Sequence, residues 1–137
     1  VKLQQGEYVA LSKVEAALKN SPYVALPFVY AKPTMSYALA VINPAPEAVR
    51  KLAGEVGADA SAGFAKLCED EAVVAAVLAD VRARCKAAGL ASFETPGKVL
   101  IVAEEFTIEN GQLTTTMKLR RREIYKAHEA AIDRVYV

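Results

Sequence analysis

The chain has no tryptophan, two cysteines and a single histidine among its 137 residues. Each scarcity closes off a class of function. Cys68 and Cys85 are too widely spaced for a C-x-x-C pair and too few for a disulfide framework, so they read as small core hydrophobes. His128 has no serine, cysteine or carboxylate at a catalytic spacing and reads as a surface or partly packed residue. There is no phosphate-cradling glycine loop, no set of metal ligands and no nucleophile–base pair. Formal charge is nearly balanced at +1. Bulk electrostatics therefore selects no partner, and basic residues are not interleaved with aromatics as in a nucleic-acid-binding surface. No apolar run approaches the length of a membrane span. The first residues, Val1-Lys2-Leu3-Gln4-Gln5, lack the apolar centre of a signal peptide. The expectation is an intracellular protein with reduced thiols. The missing initiator methionine suggests a segment of a longer protein or a processed chain.

What is present is a substantial apolar fraction, 53% of residues, in a chain of one-domain length spanning 1–137. Residues 1–9 read as two short extended pieces turning at Gln5-Gly6. Ser12 and Glu15 have the spacing of a capping box, predicting a helix from there to about Asn20. Tyr23–Ala31 and Ser36–Asn43 read as an antiparallel strand pair, the second almost wholly apolar and hence central. Pro44-Ala45-Pro46 opens a helix over about 47–56, and a short helix is expected near 61–67. Asp70 to Ala88 carries the clearest helical period, through Val73, Val74, Val77, Leu78 and Val81, with Gly89 as its stop. The acidic run Glu69-Asp70-Glu71 suits the start of that helix and its dipole. Lys98–Ala103 reads as a strand. Glu104 and Glu105, extending it, would point to opposite faces and form no paired site. Asn110-Gly111 predicts a type I′ hairpin turn. A last helix is expected over 120–134, with Ile124, Ala127, Ala131 and Ile132 inward. The fold class is α+β, a small mixed or antiparallel sheet with helices packed on it.

Two stretches carry chemical information. One is Asn110-Gly111-Gln112-Leu113-Thr114-Thr115-Thr116-Met117-Lys118-Leu119-Arg120-Arg121, a hydroxyl-rich loop followed by one lysine and a basic helix start. The other is Lys2-Leu3-Gln4-Gln5-Gly6-Glu7-Tyr8-Val9. Taken alone, Lys118 is a solvated lysine, Gly6 a turn glycine, and Arg120, Arg121 and Arg122 a basic face. The arginines stand at a helix N-terminus, where positive charge is unfavourable, and that suggests an external partner.

Together the two stretches resemble the C-terminal domain of long-chain fatty acyl-CoA synthetases, in the adenylate-forming, AMP-producing ligase superfamily. The resemblance implies a lid on a larger N-terminal adenylation domain, which would hold the ATP loop, the acyl tunnel and the magnesium ligands. It implies ATP, Mg2+ and CoA as cofactors and co-substrates of the full-length enzyme, none bound by this domain alone, with a fatty acid as the acid substrate. It also implies roles. Lys118 would be the lysine that stabilises charge during acyl-adenylate formation. The hairpin of Gly6, Glu7 and Tyr8 would face the pantetheine arm of CoA, its glycine permitting close backbone approach. Arg120, Arg121 and Arg122 would meet phosphates or the large domain. The chain departs from the wider superfamily in having Thr116-Met117 where a Ser-Gly pair precedes the lysine. It has Thr115 where proline is frequent, and Tyr8 where arginine is common. The rival reading is a stand-alone binding or regulatory module without enzymatic activity, its basic face touching nucleic acid or a protein.

Overall fold

A computed structural model describes residues 1–59 and 61–137. A hairpin closed by a bridge between Lys2 and Tyr8 leads into α1 (Leu11–Leu18), followed by β1 (Val24–Tyr30) and β2 (Leu39–Pro44). Then come α2 (Pro46–Glu55), α3 (Phe64–Leu67) and α4 (Glu71–Ala87), a 3-10 turn at Ser92–Glu94, β3 (Lys98–Ile101) and α5 (Arg121–Val135). The sheet order is β1-β2-β3; β1 pairs antiparallel to β2, and β3 lies parallel to it. The α+β class with a mixed sheet is as expected.

Strand β2 is the axis of the fold. All six of its residues are buried, as its unbroken apolar run requires for a strand covered on both faces. Ala40 and Ile42 join a core with Val14, Leu18, Val49 and Val77, on the side of α1, α2 and α4. Leu39 and Val41 point the other way, into a second core with Phe28, Phe106, Ile124 and Ile132, beneath α5. The period-2 alternation of one strand thus sets helices on both sides of the sheet.

Helix α4 follows its sequence signals. Asp70 caps it, its carboxylate accepting from the amides of Ala72 (2.9 Å) and Val73 (3.1 Å), and satisfying two of the donors a helix start leaves free. Val73, Val77, Val81 and Cys85 form its buried stripe. Gly89 takes the left-handed conformation after its end, at φ +81°. Both cysteines are buried free thiols. Burial pushes the Cys68 thiol up to about 11 and moves Cys85 in the same direction.

Three local expectations fail. Ser12 does not cap α1: the helix begins one residue before it, Ala10 is the cap residue, and no side chain caps the end. Glu15 has a long-range partner instead. Asn110-Gly111 is not a type I′ turn, which needs positive φ at both residues. Gly111 has φ +78°, but among the described residues Met117 is the non-glycine with positive φ. The Asn110 side chain acts instead, its Oδ1 accepting from Thr107 and Gln112 amides and its Nδ2 donating to the Glu105 carbonyl. Ala127 is exposed rather than inward: the inward stripe runs through Ile124, His128, Ala131 and Ile132, at i, i+4, i+7 and i+8, and Ala127 lies at its edge. Glu104 and Glu105 fall beyond β3, and both are exposed.

Candidate functional site

The segment after β3 is set by Asn43, a buried side chain in β2. Its Nδ2 donates to the carbonyls of Val102 (3.0 Å) and Glu104 (2.9 Å), and its Oδ1 accepts from the Phe106 amide at 2.7 Å. These bonds turn the chain off the sheet towards a loop that runs through Gln112 and back to α5. Leu113 and Leu119 bridge at the base of that loop. Above them Thr114 closes the tip. Its amide donates to the Lys118 carbonyl at 2.8 Å, its hydroxyl accepts from the Lys118 amide at 3.0 Å, and its carbonyl accepts from the Met117 amide at 2.8 Å. Closing so tight a tip puts Met117 in the left-handed region at φ 65°. A side chain disfavours that conformation by about 1–2 kcal/mol, and here it is imposed by the surrounding hydrogen bonds. The result is a tip closed by its own hydrogen bonds, with Lys118 exposed on it and Met117 60% exposed beside it.

The lysine overlooks a surface groove of about 500 Å³. Its walls include Ser12 and Glu15 from α1, Lys19 just past that helix, Leu26 and Pro27 from β1, and Arg121. Glu15 was expected as a cap and has no part in that role. Its side chain is only 8% exposed, and it receives both Arg121 guanidinium nitrogens, at 2.7 and 2.6 Å, along with the Val29 amide at 2.8 Å. Helix α1, strand β1 and the start of α5 therefore meet on one carboxylate. No spacing rule could reveal this, since Glu15 and Arg121 are separated by 106 residues; a glutamate in an otherwise apolar helical stripe is the only local sign.

The three arginines separate. Arg121 is committed to Glu15. Arg120 donates from Nη1 to the Gly111 carbonyl at 3.1 Å, and its own amide bonds the Gln112 carbonyl. Arg122 is exposed. Their unfavourable place at a helix start is thus explained, for two of them, by partners within the fold.

Gly6, Glu7 and Tyr8 are placed elsewhere. Leu3 and Val9 bury the hairpin's legs. The Leu3 amide donates to the Glu7 carbonyl, and Gly6 sits at φ +94°, where only glycine is relaxed. The hairpin is tied to the loop after β1, through the Gln4 amide to the Met35 carbonyl and Gln5 Nε2 to the Ser36 carbonyl. All three tip residues face solvent, Tyr8 at 71% exposure, with the Lys2 ammonium 5.7 Å from its ring. The structure therefore brings Lys118 and Arg121 to one groove and leaves the Gly6 hairpin outside it. Among the described residues no group of three His, Cys, Asp or Glu side chains converges as metal ligands, and no helix is long and apolar enough to cross a membrane.

No family model matches this chain. It is similar to long chain acyl-CoA synthetase 8 of Arabidopsis thaliana, at 40% identity over 99% of this chain and 19% of that protein. It is also similar to fatty acyl-CoA synthetase B of Dictyostelium discoideum and to long-chain-fatty-acid–CoA ligase 5 of Mus musculus. Each is 36% identical over 98% of this chain and 20% of the relative. The chain thus spans about a fifth of the length of the curated relatives it matches. Among solved structures, it superposes on the A-PCP didomain of the carboxylic acid reductase of Segniliparus rugosus in complex with AMP. The TM-score is 0.80 at 35% identity, covering 98% of this chain and 17% of that one. The adenylation domain of a carboxylate reductase from Mycobacterium chelonae gives a TM-score of 0.81 at 32% identity, covering 98% and 19%.

Proposed function

Since this chain belongs with the C-terminal domains of long-chain acyl-CoA synthetases, we propose that it is the lid of an AMP-forming fatty-acid–CoA ligase. In the full-length enzyme the fatty-acid carboxylate attacks the α-phosphate of ATP and pyrophosphate leaves. The CoA thiol then attacks the acyl-adenylate carbonyl and AMP leaves. The observation that carries the reading is Lys118 itself, an exposed ammonium on a tip whose backbone is fixed by Thr114 on both sides. Negative charge gathers on the phosphate oxygens during the first displacement. A cation held in advance on a rigid loop stabilises that charge without reorganising. Lys19, on the same groove, adds a second ammonium for phosphate, and the exposed Arg122 a third cation nearby in sequence.

The hairpin of Gly6, Glu7 and Tyr8 serves the second half-reaction, where the bare glycine backbone passes close to pantetheine. Tyr8 offers a ring face rather than a charge. On this reading the Mg2+ ligands lie in the large domain. The fatty acid also binds there.

The test separates the half-reactions in the full-length enzyme. Lys118→Ala is expected to slow pyrophosphate release by about a hundredfold, equivalent to about 3 kcal/mol of lost charge stabilisation. It should leave transfer from supplied acyl-AMP to CoA far less affected. Gly6→Leu, checked for folding by thermal melt, is expected to show the reverse pattern. Equal losses in both half-reactions for both variants would remove the assignment of one role to each end of the domain.

A further inference from the structure

We infer that Glu15 is a positioning residue for Lys118, acting through Arg121; this rests on the reading of Lys118 given above. The loop that presents the lysine has two legs. The first, at Leu113 and Thr114, is held from within the loop. The second runs from Leu119 through Arg120 directly into Arg121, the first residue of α5. Whatever fixes Arg121 therefore fixes the leg that ends three residues after the lysine, and Glu15 does so from a different layer of the fold. The carboxylate is itself immobilised. It lies on α1, its side chain is 8% exposed, and the Val29 amide of β1 holds the oxygen that also receives Arg121 Nη1.

Stability alone is a weak explanation for such a pair. The carboxylate gives up most of its water while the guanidinium stays partly in solvent, so desolvation of the one and screening of the other offset much of their attraction. A bidentate guanidinium–carboxylate contact adds direction, because two parallel bonds fix both angle and distance. A second consequence concerns charge. Arg121 lines the same groove as Lys118. Paired with Glu15, it is neutralised there, and among the described residues the groove's cations left without a carboxylate partner on it are the Lys118 tip and Lys19.

The experiment uses the full-length ligase with Glu15→Gln. Glutamine keeps, at the oxygen facing Val29, an acceptor for that amide and for Arg121 Nη1, but it removes the charge and turns an amide donor towards Nη2, so the α1–β1 bond survives while the two-bond charged clamp on α5 is reduced to one neutral bond. Per folded enzyme, the maximal rate of pyrophosphate release is expected to fall on the order of tenfold to a hundredfold, as for a reacting group displaced by about an ångström. Transfer from supplied acyl-AMP to CoA should stay within about twofold of wild type. The double variant Glu15→Gln/Arg121→Gln, whose two amides can pair, is expected to recover about half of the loss on a logarithmic scale.

Equal decline of both half-reactions, after correction for folded fraction, would make the pair mere scaffold and overturn the inference. So would a lowered KM for ATP at unchanged maximal rate, which would mean that a freed Arg121 binds phosphate itself. Lys118→Ala runs alongside. If it cripples adenylation while Glu15→Gln does not, the positioning role alone falls. If it does nothing, the functional reading falls as well.

Discussion

The left-handed backbone at Met117 gives a stability prediction that is independent of any activity. Its φ of 65° costs a side-chain-bearing residue about 1–2 kcal/mol, because Cβ crowds the following carbonyl. Glycine removes that penalty but adds freedom to the unfolded chain worth about 0.4–1 kcal/mol. The Met117 side chain is 60% exposed, so little packing is lost with it. The balance for Met117→Gly is a gain of about 0.8 kcal/mol. At about 2.1 cal/mol/K per residue, a chain of this length unfolds with an entropy of about 0.29 kcal/mol/K. The predicted rise in melting temperature is therefore about 3 °C. Met117→Val moves the other way by a similar amount, since a β-branched residue fits the left-handed region worse. Differential scanning calorimetry of the 137-residue protein measures both. If glycine lowers the melting temperature while valine leaves it unchanged, the tip is not held in the strained conformation, and the argument for its rigidity goes with it.

Two further outcomes follow from buried groups. Asn43→Ala strands the Phe106 amide and two carbonyls in the interior, and is expected to cost about 3 kcal/mol, or about 10 °C in a thermal melt; a change under 2 °C would show that water replaces the side chain. The Cys68 thiol, pushed up to about 11 by burial, is expected to resist iodoacetamide at neutral pH in the folded protein and to react fully in denaturant, because only the thiolate attacks. Rapid native alkylation at that residue, read by mass spectrometry, would contradict the packing of α3 and α4.

The elements that were legible in the sequence are those whose signals are local. The β2 run is apolar on both faces because both faces are covered. Asp70 caps the helix that begins one residue later, and Gly89 stops it, each through bonds to near neighbours. The motif around Lys118 was readable for a different reason: a resemblance carried by consecutive residues. What could not be read depends on partners far along the chain. Glu15 has the spacing of a cap, yet its true partners are Val29 and Arg121. Asn110-Gly111 has the composition of a hairpin turn, yet the Asn110 side chain is drawn off to Thr107, Gln112 and Glu105, and Gly111 alone of the two takes the positive φ. The parallel pairing of β3 with β2 is set by the long return through α4, which no pattern within β3 itself encodes. Ala127 fails because the apolar period counts any small residue near the stripe as inward, whereas the structure fills that place with His128.

The separate fastening of the two chemically informative stretches bears on how one small domain can serve two reactions. The lysine tip is held by Thr114, by the Gln112 carbonyl and, through Arg121, by Glu15. The glycine hairpin is held by Met35 and Ser36 carbonyls and by its own buried Leu3 and Val9. They share none of these fasteners. On the proposed reading, each tip can keep its own shape at its own reaction, and neither has to deform for the other to act. On the proposed reading, a lid of this kind changes function by turning as a body on the large domain rather than by reshaping a loop. That arrangement predicts additive behaviour: a substitution fastening or loosening one tip should leave the half-reaction of the other unchanged, and the double variant of Lys118→Ala with Gly6→Leu should lose in each half-reaction only what the corresponding single variant loses. Strong coupling between the two in single-turnover kinetics would instead mean that the tips communicate through the domain, and the rigid-body account would fail.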